Sequence, residues 1–180
     1  TMAAYALYVS GHRFSRALFA FLITPMIVPV ILIAIGAFYA YGRVGLNNTI
    51  TGLVLAHTVL AAPLIMIVIT SALRNYDLNQ ERVARSLGAT RIYAFFMITL
   101  PQIKFSIVTA ALLAFLTSFD EVIISIFVSG GKNATLTKHM FSALRDFIDP
   151  TIAAISTIMI LTSTILLLAT QFFGNKDSKR

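Results

Sequence analysis

Apolar residues run along this chain in long blocks, with short polar and basic stretches between them. Residues 1–10 (TMAAYALYVS) are apolar but fewer than the roughly 20 residues a helix needs to cross about 30 Å of hydrocarbon. The polar run GHRFSR at 11–16 follows. Further apolar blocks then occupy 17–41, 49–73, 105–128 and 150–173. Each is long enough to cross a bilayer as one helix, so the pattern predicts these spans and the end of an earlier one. Pro25 and Pro29 fall in the first block and Pro63 in the second. Membrane bundles tolerate such residues where neighbours satisfy the freed carbonyls. Between the blocks lie a short turn (GRVGLNN, 42–48), a long polar segment (74–104) and a mixed loop (129–149). That loop opens on Gly130-Gly131, closes on Asp149-Pro150, and holds a possible short amphipathic helix at 136–147. A polar tail, 174–180, ends the chain.

Composition supports a bilayer as the solvent. Of 180 residues, 58% are hydrophobic and 12% charged, where a soluble domain has about 25% charged. The net charge of +7 does not indicate a nucleic-acid surface, because the basic residues sit between apolar runs. Lys and Arg number ten in 11–16, 74–104 and the tail, against four in the alternate loops. The positive-inside rule makes the richer side cytoplasmic and places the C-terminus there. Cysteine is absent, which excludes disulfides and thiolate chemistry. The opening lacks a charged leader and a small-residue cleavage site, so it reads as the tail of a helix in a chain truncated at its N-terminus.

The 74–104 segment is long for a connection between adjacent spans. Asp77 or Asn79 can cap a helix through 80–87, and Gly88 can end it in a left-handed conformation. A second helical stretch, 90–99, carries Ile92, Tyr93, Phe95, Phe96 and Ile98, and Leu100-Pro101 is expected to break it. Two short, partly apolar helices of this kind can fill a groove on a partner protein.

The run ERVARSLGATRIYAFFMITLP, 81–101, resembles the EAA loop of ABC-importer permeases. Ala84 stands at the second alanine and Gly88 at the glycine; nine residues later Ile98, Leu100 and Pro101 complete the Ile-x-Leu-Pro ending. Arg82 and Val83 depart from the usual glutamate and alanine, with Glu81 one position earlier. The resemblance implies an all-α membrane protein with the type I, MetI-like helical bundle. It also implies a permease subunit, not an enzyme, that binds no cofactor. ATP and Mg would reside on a separate ATPase subunit, and no phosphate-loop motif occurs in this chain. Docking to that ATPase is expected from Glu81, Ala84, Leu87, Gly88, Ala89, Phe95 and Pro101.

Asp120 and Glu121 lie within the 105–128 block. Intramembrane carboxylates are costly and by default functional candidates. The segment SFDEVIISIFVSGG around them is similar to spermidine/putrescine-type permeases, as is DPTIAAISTIMIL at 149–161. That similarity implies a polyamine cargo passing Asp120 and Glu121, with structural salt bridging or helix capping as the alternative. It further implies a heterodimeric permease pair, a periplasmic or lipoprotein substrate-binding protein, and residence in a bacterial inner membrane; the stretch from Lys138 to Asp149 is either an outer-surface helix that meets such a binding protein or a solvated loop. Importers of iron(III), thiamine, phosphonate and anions share the loop, and an ion-gradient-driven transporter also fits intramembrane acids. His12, His57 and His139 have no metal-ligand spacing; His57, inside a span, is expected to hydrogen-bond a neighbouring helix.

Overall fold

The computed structural model describes residues 1–10, 13–146 and 150–174. His12, Asp149 and the tail beyond Gly174 lie outside the described residues. Among the described residues every regular element is helical. α1 (Met2–Ser10) and α2 (Arg13–Ile23) lead through a 3₁₀ turn (Thr24–Met26) to α3 (Val30–Val44) and α4 (Ile50–Arg74). The polar segment forms α5 (Asn79–Ser86), α6 (Arg91–Ala94), a π-helical turn (Phe95–Thr99) and α7 (Leu100–Gln102). There follow α8 (Lys104–Asp120), α9 (Ile123–Val128), a second 3₁₀ turn, α10 (Leu136–Asp146) and α11 (Pro150–Gly174).

One described helix, α4, is long and apolar enough to cross a membrane by itself. Thr49 starts it: the hydroxyl accepts from Gly52 N at 3.0 Å and donates to the Leu46 carbonyl at 2.7 Å. Gly52 is required there, since a Cβ would collide with the Leu46 carbonyl oxygen. α4 runs on through buried Pro63.

Two of the expected spans are not single helices. The 17–41 block is broken: the run Arg13–Met26 meets Val30–Val44 at 101°. Pro25 sits in the 3₁₀ turn, and Pro29 (φ −53°, ψ 129°) is the cap of α3. Proline lacks a donor and pushes its predecessor out of the helical region, so the pair ends one helix and starts another. The 105–128 block is also broken. α8 ends at Asp120, Glu121 is extended (φ −73°, ψ 114°), and α9 begins two residues later. Asp120 and Glu121 are therefore not neighbours on one helix.

Two buried clusters sit at opposite ends of α4. One joins α4 (Met66, Ile69, Leu73) to Ala4 and Tyr5 of α1, Phe95, Ile103 and Ala110. The other joins Ala56 to Ala34 of α3 and to Ile124 and Val128 of α9. Between them along α4, a cavity of about 750 Å³ opens against α8, with His57, Ala61 and Met66 on one wall and Phe115 and Ser118 on the other. Much of the remaining apolar surface is exposed, as on Val54 and Val59 of α4 and Ile158, Leu161 and Ile165 of α11. That is the surface a hydrocarbon solvent would cover.

Candidate functional site

The polar segment builds a compact platform at the end of α4. Asp77 accepts from the Asn79 backbone N–H at 2.9 Å and so satisfies an orphan donor at the start of α5. α5 ends as the glycine predicts: Gly88 has φ +97°, its N–H donates to the Arg85 carbonyl at 3.1 Å, and Ala89 N–H reaches back to the Ala84 carbonyl at 3.1 Å. This is a complete Schellman motif. Thr90 then caps α6, accepting from Tyr93 N at 3.3 Å.

The expectation that Leu100-Pro101 breaks the second stretch is corrected. The helix widens to i→i+5 bonding over Phe95–Thr99 and passes through Pro101, with the break at Ile103. A π turn gives the proline ring room that an α turn lacks. The run from Arg91 to Gln102 meets α8 at 77°, so it lies across the end of the bundle.

The named docking residues divide into two groups. Leu87 is 84% exposed, Gly88 and Pro101 are exposed, and Ala84 and Ala89 are half-buried. Glu81 and Phe95 are buried. Phe95 packs against Tyr5 with ring centroids 4.5 Å apart and planes tilted by 47°. The Glu81 carboxylate accepts from Tyr5 Oη at 2.6 Å and from Thr99 Oγ1 at 3.3 Å, and Tyr76 Oη accepts from Thr99 at 3.4 Å. Glu81 and Phe95 are both turned inward and fasten α5 and the π turn to α1. Sequence reasoning missed Tyr5 and Thr99, because nothing local links them to a residue 76 or 18 positions away. The only signal was an isolated acid on an otherwise basic helix.

At the other end of α8, Glu121 acts as a cap: Oε1 accepts from Ile124 N at 2.9 Å. Its carbonyl accepts from Ser125 Oγ and Thr137 Oγ1, each at 3.1 Å. Lys138 closes the far end of α9, donating to the Ile126 carbonyl at 3.0 Å and to that of Ser129. A cation at a helix C-terminus also suits the dipole. Asp120 is exposed, and with Glu121 it lines a groove of about 610 Å³ between α8 and α11, beside Thr117, Ser163 and Thr164. His57 meets the adjacent helix through a 2.8 Å hydrogen bond between Nδ1 and Ser118 Oγ. Among the described residues, no group of three His, Cys, Asp or Glu is placed to hold a metal.

The family model for the binding-protein-dependent transport system inner membrane component matches residues 1–176. The chain belongs to this family. It is thus a MetI-like permease of the ABC-importer class. The permease is 30% identical over 177 residues to the spermidine/putrescine transport system permease protein PotC of Haemophilus influenzae, covering 98% of this chain and 69% of that relative. To the putrescine transport system permease protein PotI of Escherichia coli it is 35% identical over 168 residues, covering 89% of this chain and 59% of the relative. A more distant match, 27% over 125 residues, is to the sulfoquinovosyl glycerol permease protein SmoH of Agrobacterium fabrum; it covers 69% of this chain and 44% of that one.

Proposed function

We propose that this permease forms half of a polyamine pathway across a bacterial inner membrane and is driven by a separate ATPase that docks on α5 and the turn after it. One observation carries the docking reading: α5 presents Leu87, 84% exposed, at a Schellman turn, while its opposite side is fastened to α1 and the π turn through Glu81. An exposed apolar side chain on a braced helix is suited to a groove on a partner. Ala84, Gly88, Ala89 and Pro101 shape that surface; Glu81 and Phe95 support it from behind. A second permease subunit, a substrate-binding protein on the outer face and a cytoplasmic C-terminus complete the arrangement.

The polyamine cargo draws support from the printed names of PotC and PotI and from the groove beside Asp120. A polyamine alternates cationic amines with apolar methylene segments. Walls of Leu116, Met159 and Leu167 with Asp120 at one end offer both kinds of contact.

Labelled putrescine uptake by cells expressing the whole transporter tests the cargo. Asp120→Asn should raise the half-saturating concentration about tenfold, the scale of one lost charge-assisted contact. Unchanged uptake would remove Asp120 from the path. Co-purification of the ATPase tests the docking: Leu87→Asp should abolish it, and full recovery of the complex would reject the assignment.

A further inference from the structure

The platform carries an uneven set of charges. Between 79 and 101 there are three arginines, Arg82, Arg85 and Arg91, and one acid, Glu81. The acid is buried and bonded to Tyr5 and Thr99. Asp77, just before α5, is committed to the Asn79 backbone. Arg91 lies over the Tyr5 ring, 6.0 Å from its centroid. Arg82 and Arg85 are exposed, and Arg82 donates to the neutral Asn79 side chain at 3.2 Å.

At about 100° per residue, Arg82 flanks one side of the exposed arc of α5, and Val83 and Leu87 form the other, with Arg85 at its edge. Ile92 and Tyr93 of the following helix, α6, are also exposed, at 67% and 58%. The buried side of α5 faces α1 and the π turn, so the arc is directed away from the body of the bundle.

A groove wide enough to take the exposed arc, from Leu87 and Val83 round to Arg82, also takes water from that guanidinium and from Arg85 at the edge of the arc. An arginine desolvated without a partner is costly, and carboxylates meet its planar fork with paired hydrogen bonds. We propose that the ATPase groove receiving this loop is edged by carboxylates, so that the permease selects its ATPase by an apolar centre with an acidic rim opposite Arg82 and Arg85. This rests on the docking reading above.

The test uses the complete permease pair in nanodiscs of neutral lipid, with association of its cognate ATPase followed in time. Charges at an interface rim act mainly on the association rate and its salt dependence, and apolar anchors on dissociation. Wild-type association should slow as salt rises. The Arg82→Glu/Arg85→Glu variant should associate about tenfold or more slowly at low salt and speed up with added salt. The Arg82→Gln/Arg85→Gln variant, which keeps the helix intact, should fall between and lose most of the salt slope. If both arginine variants bind as wild type while Leu87→Asp does not bind, the docking site stands and the acidic rim is wrong. If Leu87→Asp binds normally too, the docking site itself is wrong. An effect of the arginine changes that appears only with anionic lipid would assign them to the membrane surface and overturn the proposal.

Discussion

Gly88 and Glu81 do different work on the same short helix. At Gly88 the space is open, so a Cβ would meet nothing, but φ is +97°. The cost of Gly88→Ala is then conformational, about 1–2 kcal/mol for a non-glycine residue in the left-handed region. The amides of Gly88 and Ala89 should exchange with solvent roughly tenfold faster in that variant. Gly88→Asn should lose less, because asparagine tolerates this region. Equal exchange in all three proteins would mean the Schellman turn does not set the local stability. Glu81 is a packing residue as much as a charged one. Glu81→Ala leaves the Tyr5 hydroxyl without its acceptor in a buried site and Thr99 with Tyr76 alone, a loss of about 1–3 kcal/mol. Thermal unfolding of the purified permease should show it, and Tyr5→Phe should show a smaller part of it. The glycine could be read from the residues alone, since a lone Gly after an apolar-periodic stretch has one ordinary use. The inward turn of Glu81 could not, because its partners come from α1 and the π turn.

Element boundaries were legible wherever a local signal existed. Of the two residues offered as caps, Asp77 accepts from the Asn79 amide at the start of α5, and the apolar block at 49–73 became α4 over Ile50–Arg74. Where hydrophobicity was the only guide, bends went unseen. The Pro25/Pro29 break needed the two prolines to be read together. The break at Glu121 has neither proline nor glycine, and its cause is a carboxylate taking the Ile124 N–H while Thr137 and Ser125 hold the carbonyl. That arrangement sharpens the question of what Glu121 does. As a cap it needs an acceptor, not a charge. Glu121→Gln should then keep near-wild-type stability, and Glu121→Ala should lose about 1 kcal/mol, the usual worth of a cap. If Glu121→Gln retains stability but loses putrescine uptake, the acceptor serves the fold and the charge serves the cargo.

Across the whole molecule, the two buried clusters divide α4 between two tasks. The end near Leu73 is packed to the platform, and the end near Ala56 is packed to α9 and α3. The cavity beside His57 lies between them. The family and the helical class were readable from one 21-residue run because its glycine and its Ile-x-Leu-Pro ending keep a fixed spacing. The position of that run relative to α1 was not readable, since long-range side-chain contacts leave no periodicity. The platform is tied to α1 through one hydrogen-bonded knot: Glu81 accepts from Tyr5 on α1 and from Thr99 on the π turn, and Thr99 also bonds Tyr76 just beyond the end of α4. A push delivered to α5 would therefore reach α1 and the π turn directly through the Glu81 side chain, and not only along the chain through the connecting loop.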